Sequence, residues 1–168
     1  EIQEFSAAAS GLDSGLGSWP ETVRSRALAA LELSNNPLGC NGEGFFGSLL
    51  TAFPQLEYLD LSSCMLAGDF FDVCRKPLNP RLGFVSLSHN KLTGRLERFC
   101  SNASSAPEAV VLTNNMAAAS SNLSGSPLNM LLAGKKLGIS WNPQLSCTAP
   151  GPRSALFLST HGPLIGCS

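Results

Sequence analysis

Four asparagines and one cysteine fall at a single point of a recurring frame, and the chemistry they offer there is hydrogen bonding to backbone. The frame is Leu-x-x-Leu-x-Leu-x-x-Asn-x-Leu. It is carried by Leu28, Leu31, Leu33, Asn36 and Leu38, then by Leu56, Leu59, Leu61, Cys64 and Leu66, then by Leu82, Val85, Leu87, Asn90 and Leu92. With the fourth position as anchor, successive anchors are Phe5, Leu31, Leu59, Val85, Val110, Leu137 and Leu156, at steps of 26, 28, 26, 25, 27 and 19 residues. Five residues beyond each anchor stand Ser10, Asn36, Cys64, Asn90, Asn115, Asn142 and His161. A primary amide has two donors and an acceptor, so a buried asparagine can satisfy the backbone groups left unpaired where a chain turns away from a strand. Cysteine is small and apolar enough for the same slot. Asn36, Cys64, Asn90, Asn115 and Asn142 are therefore expected to stack as a structural ladder.

A second set of residues offers binding rather than support. Residues two apart in a strand share a side, so the anchor and the residue two beyond it enter the core, while the residues flanking the anchor face the other way. The position before the anchor holds Tyr58 and Phe84 on adjacent turns, and the position after it holds Glu32, Asp60 and Ser86. Exposed aromatics on a rigid sheet are good anchors for a partner, and the acids Glu32, Glu57 and Asp60 nearby favour one carrying Lys or Arg. The competing reading is cross-strand aromatic packing that stabilises the sheet. Lys136, with Lys135 and Trp141, makes a second and more basic patch, although Trp141 beside Asn142 can instead turn inward. A run of hydroxyls three residues past the anchor, from Ser34 to Ser159, reads as structural bonding to nearby backbone.

The side chains of catalysis do not converge. His89 and His161 lie on different turns of the pattern, and no nucleophile elbow, phosphate loop or metal motif occurs. The cysteines lack the spacing of a zinc site. The expectation is a protein that is not an enzyme, with no metal and no cofactor. A net charge of −1 over 168 residues argues against nucleic acid and anionic membrane surfaces as partners. Charged residues make up 14%, against about 25% in typical domains. Glycan cover, burial in a larger assembly, or simply an abundance of small turn residues would each account for so bland a composition. No apolar run approaches the ~18 residues of a membrane span.

Six cysteines bear on the compartment. Cys74 lies 15 residues past Leu59 and Cys100 lies 15 past Val85, so the two occupy equivalent positions on adjacent turns, roughly 5 Å apart, within reach of a disulfide. Cys147 and Cys167 are nearly equivalent in the last two turns and would staple that end. Cys64 falls in the inward register, where a buried thiol fits; a bridge to Cys40 is the other arrangement. Asn102 and Asn122 open Asn-x-Ser sequons in the segments between strands. Disulfides and sequons together point to an extracytoplasmic setting: secreted, cell-surface or in an organelle lumen.

The repeats themselves resemble a known family. Leu59-Asp60-Leu61-Ser62-Ser63-Cys64-Met65-Leu66-Ala67-Gly68-Asp69-Phe70 and Val85-Ser86-Leu87-Ser88-His89-Asn90-Lys91-Leu92-Thr93-Gly94-Arg95-Leu96 look like the Leu-x-Leu-Ser-x-Asn-x-Leu-x-Gly-x-Ile signature of leucine-rich repeats of the plant-type extracellular class. Leu123-Ser124-Gly125-Ser126-Pro127 looks like its second half. Pro107, Gly134 and Arg153 depart from the first leucine of the late repeats. The resemblance implies an α/β repeat solenoid: a right-handed coil with one parallel concave β-sheet and an irregular or short-helical convex side. One turn cannot bury its own apolar face, so its neighbours must cover it. Residues 1–146 are expected to form about six coils, and residues 147–168 a C-terminal capping segment with a last strand. Short helices are expected over 42–53, from the spacing of Phe45, Phe46, Leu49, Leu50 and Phe53, and over 20–28, opening at Pro20. Residues 1–5 read directly as a strand with no capping sequence ahead, as in a processed or truncated chain or one whose end another molecule covers.

The function implied is an interaction module that binds a protein or peptide, or a glycan, on the concave sheet, as recognition receptors, inhibitors and adhesion proteins of that class do. The competing class is a structural or accessory subunit of a larger extracellular or lumenal assembly. Non-reducing peptide mapping is expected to find Cys74 linked to Cys100; free thiols at both positions would remove the case for an oxidising compartment.

Overall fold

The computed structural model describes residues 2–13, 23–39, 42–69, 81–95, 107–118, 136–138 and 142. Six short strands form one parallel sheet: β1 (Glu4–Ser6), β2 (Ala30–Glu32), β3 (Tyr58–Asp60), β5 (Phe84–Ser86), β7 (Ala109–Val111) and β9 (Lys136–Gly138), in that order. Each contributes three residues, and the registers place Phe5, Leu31, Leu59, Val85, Val110 and Leu137 side by side. The chain is thus a repeat solenoid with one strand of this sheet per coil. Leu31, Leu33, Leu59, Leu61, Val85, Leu87, Val110 and Leu112 are fully or almost fully buried beneath it. Phe5 differs: it is 41% exposed. Among the described residues β1 is the end strand, so coil side chains reach Phe5 from one side only, and the expectation that this anchor enters the core fails.

Between β2 and β3 the chain forms α1 (Gly42–Ala52). Its Phe45, Phe46, Leu49 and Leu50 recur at helical spacing and are buried, joined by Phe53 just past its end. Thr51 Oγ1 donates back to Gly47 O, and Pro54 follows where the helix stops. The other expected helix is not present in its described part: residues 23–28 bend instead. The Ser25 hydroxyl accepts from the amides of Ala27 and Leu28, which offers these groups an alternative to helical bonding.

One sheet was expected and two exist. The second consists of β4 (Ala67–Asp69), β6 (Lys91–Arg95) and β8 (Met116–Ala118), all parallel, with α1 packed beside β4. In the first sheet equivalent positions of the repeat pair with one another. In the second they do not: Gly68 pairs with Leu92, and Gly94 with Ala117, a slip of two residues at each step. This explains the strand lengths. Residues 91–93 of β6 pair back to β4 and residues 93–95 pair forward to β8, so the interior strand needs five residues and each end strand three. The glycines have a reason as well. Gly68 and Gly94 have φ of 96° and 135°, where a side chain is strained.

The turn off each strand is built by the residues at the fifth position. Asn36 Nδ2 donates to the carbonyls of Ala7, Leu33 and Ser34, while its Oδ1 accepts from Ser10 N and Leu12 N. Asn90 repeats this with Leu61, Leu87 and Ser88 as acceptors and Cys64 N and Leu66 N as donors. Asn115 donates to Leu87, Leu112 and Thr113 and accepts from Leu92 N. Asn142 donates to Leu112 O. All four are buried. Each amide therefore joins its own coil to the one before.

Cys64, also buried, lies with Sγ 3.1 Å from Leu33 O and 3.4 Å from Ser62 O, but a thiol is a poor acceptor. By the pattern of Asn36 and Asn90, an amide side chain there would accept from Asn36 N and Leu38 N. Leu38 N instead donates to Asn36 O across Pro37, the two-residue bond of a γ-turn.

One further regularity lies just before the ladder. Ala9, Asn35, Ser63, His89 and Asn114, each four past an anchor, all have φ between 50° and 58°. The left-handed residue lets the amide of this position stay in line with the sheet: Ala9 N donates to Ser34 O, Asn35 N to Ser62 O, Ser63 N to Ser88 O and His89 N to Thr113 O. Replacement of Asn90 by Ala orphans buried amides and carbonyls in two coils at once. A loss of about 3 kcal/mol is expected in denaturant unfolding, since one unsatisfied buried group costs about 1–3 kcal/mol; an unchanged midpoint would contradict the ladder's role.

Candidate functional site

Alternation along the strands puts the residues on either side of each buried anchor on the outward face of the six-stranded sheet. Tyr58 and Phe84 are directly paired there across β3 and β5. Their rings stack with centroids 4.8 Å apart and planes 8° from parallel. Tyr58 is nevertheless 39% exposed and Phe84 is partly so. The cross-strand packing and the exposed aromatic surface are therefore both present, in one pair of rings.

Acidic groups flank that pair. Glu32 and Asp60 are register partners on β2 and β3, both half-buried. Glu32 Oε2 accepts from the Ser6 hydroxyl and Asp60 Oδ1 from Ser62 N, each at 2.8 Å. Partial burial, then the fields of Asp60 and Glu32, raise the pKa of the Tyr58 phenol above its ordinary value. Glu4 occupies the same face of β1 and is exposed.

Other residues of the expected surface are placed differently. Ser86 is only 7% exposed, and its hydroxyl lies 3.0 Å from that of Ser88, so it adds almost nothing to the accessible face. Ser34 is buried too, as suits a supporting hydroxyl. Glu57 precedes β3 and lies 3.8 Å from Arg81, both side chains well exposed, which is a weak surface pair. Lys136 begins β9, paired with Ala109. Trp141, the cysteines Cys40, Cys74, Cys100, Cys147 and Cys167, and the sequon residues Asn102 and Asn122 lie outside the described residues.

One contact on the rim was missed from the sequence: Asn114 Nδ2 lies 2.9 Å from His89 Nδ1, which joins two left-handed positions of adjacent coils. The signal was the matching place of the two residues in the repeat. Among the described residues, no three His, Cys, Asp or Glu side chains are grouped to hold a metal ion, and no helix is long and apolar enough to cross a membrane. Among the described residues the outward face thus has an aromatic and acidic focus at Tyr58, Phe84, Glu32 and Asp60.

Tyr58 is the one tyrosine of the chain, so tyrosinate absorbance reports it alone. It is expected to ionise above pH 10, and Asp60→Asn with Glu32→Gln should bring the value partway back, the burial contribution remaining. The sign for stability follows. A proton held more tightly in the folded state stabilises fully below the unfolded value near 10, and that contribution disappears as pH rises through the raised value. An apparent pKa at or below 10 would remove the acidic focus.

Comparison with known proteins agrees with the repeat architecture. The family model described as Leucine Rich Repeat matches residues 55–76, the stretch that runs through β3, Cys64 and β4. No curated protein and no solved structure matches the chain. Leucine-rich repeats are generally non-enzymatic modules of protein–protein interaction. Residues 55–76 thus match a leucine-rich repeat, and the six strands in the anchor register repeat the same unit along the described chain, which supports a leucine-rich repeat protein.

Proposed function

We propose that this protein is a recognition module that holds a protein or peptide on the outward face of its six-stranded sheet. The observation that carries this is the exposed Tyr58–Phe84 stack on short, mutually paired strands, with Glu32 and Asp60 beside it. Two stacked rings lose little freedom on binding and offer a broad apolar contact. The sheet beneath them is fixed by a fully buried leucine core, so the surface is organised before a partner arrives.

The finer architecture belongs to the same proposal. Parallel strands joined by long returns favour a right-handed coil, with the six-stranded sheet on its concave side. Residues 147–168 serve as the C-terminal cap. The chain works outside the cytoplasm as a member of the plant-type extracellular class, with Cys74–Cys100 and Cys147–Cys167 as staples and glycans on Asn102 and Asn122. In the sequence these positions all fall in segments between or beyond the sheet strands.

Site-specific photocrosslinking tests the face. A benzophenone residue in place of Phe84 is expected to yield a crosslinked partner in extract of the native source. The same residue in place of Lys91, in the second sheet, should not. Excess unmodified protein should compete the adduct away, and its Tyr58→Ala variant should compete at least about tenfold less well, as expected of a central aromatic contact. Crosslinking from Lys91 alone, or equal competition by both proteins, would reject the proposal.

A further inference from the structure

We infer that the partner segment is extended and carries a basic side chain followed, about 10 Å further along, by an aliphatic one. This deepens the proposed function and rests on the sheet face being the binding surface.

The face changes character from strand to strand. Its outward positions on β1, β2 and β3 include the carboxylates of Glu4, Glu32 and Asp60, and those of β7 are Ala109 and Val111. The aromatic pair lies between them, on β3 and β5. Among the described residues no lysine or arginine pairs with Glu32 or Asp60, and each has one oxygen engaged by a neutral donor at its own edge. A guanidinium is the complement: it can accept the remaining acidic field, reach carboxylates as a planar fork and lie on the Tyr58 ring. Partial burial raises the pKa of Tyr58 first, and the fields of Asp60 and Glu32 add to it, so both carboxylates lie close enough to act at the ring.

From β3 to β7 is two strand steps, roughly 10 Å at ~4.8 Å each. The spacing constrains the backbone of the ligand. The face presents side chains, not unpaired backbone, so a guest strand cannot extend the sheet there. A polyproline II segment needs no such pairing, and its residues i and i+3 fall on one side at roughly 9 Å. Basic-x-x-aliphatic is therefore the sequence that spans Asp60 to Val111.

The probes are blocked tetrapeptides: Arg-Pro-Pro-Leu, with Glu-Pro-Pro-Leu and Arg-Pro-Pro-Ser as controls. Binding is read from the Tyr58 ring resonances and from tyrosinate absorbance, since arginine keeps its charge where tyrosine ionises. The first peptide is expected to bind about tenfold tighter than either control, through an exposed ion pair and a cation–π contact relative to the Glu peptide and through burial of the leucine side chain relative to the Ser peptide. It should lower the Tyr58 pKa, and it should weaken in high salt. Glu32→Gln with Asp60→Asn, two surface changes whose melting curve confirms folding, should erase the preference over Glu-Pro-Pro-Leu. Equal binding of the Arg and Glu peptides, no binding of any, or a preference that survives the double variant overturns the inference. If that happens while crosslinking from position 84 persists, the face still binds a partner of other chemistry. If both fail, the face itself is not the site.

Discussion

The fold depends on one interaction, the buried asparagine amide bonded to backbone in its own coil and in the coil before it. Short strands of three residues cannot end inside a solenoid without leaving carbonyls and amides in an apolar interior. Asn36 and Asn90 each meet five such groups. Because the donor side of the amide serves the strand's exit and the acceptor side serves the previous coil's return, the same side chain terminates one turn and aligns the next. The leucine layers can then pack at constant spacing, and the outward face inherits that order. The stack of Tyr58 on Phe84 exists because β3 and β5 are held in step from below.

The third coil shows how the arrangement tolerates an exception. Cys64 replaces the donor half of the amide only weakly and the acceptor half hardly at all. The unmet amide of Leu38 lies in the previous coil, and there Pro37 lies within a turn that returns the amide to Asn36 O. The cysteine leaves that amide without a ladder acceptor, and the turn at Pro37, 27 residues earlier, supplies Asn36 O in its place.

Much of this was legible before any coordinates. The anchors paired in the sheet are those that the leucine spacing picks out, and α1 lies where the apolar spacing of residues 42–53 puts a helix, because both depend on local periodicity. The second sheet was not legible. β4 and β6 are centred on or near Gly68 and Gly94, residues that disfavour strands, and their pairing is decided by the neighbouring coil rather than by their own composition. The left-handed column was hidden for a similar reason: Ala9 and Ser63 give no sign of positive φ, although Asn35, His89 and Asn114 are of types that adopt it more readily. At the site, the aromatic pair and its acids followed from alternation, whereas the burial of Ser86 depends on its surroundings, which strand parity does not report.

The unequal registers of the two sheets have a consequence for longer arrays. On one side of the coil each strand advances without offset; on the other it shifts by two residues, roughly 6.6 Å of strand for every ~4.8 Å of stacking. A body whose two walls shear by different amounts cannot stack as a straight rod. Continued over many coils, such geometry winds into a superhelix, so the outward surface of an extended array would present itself to successive directions in space.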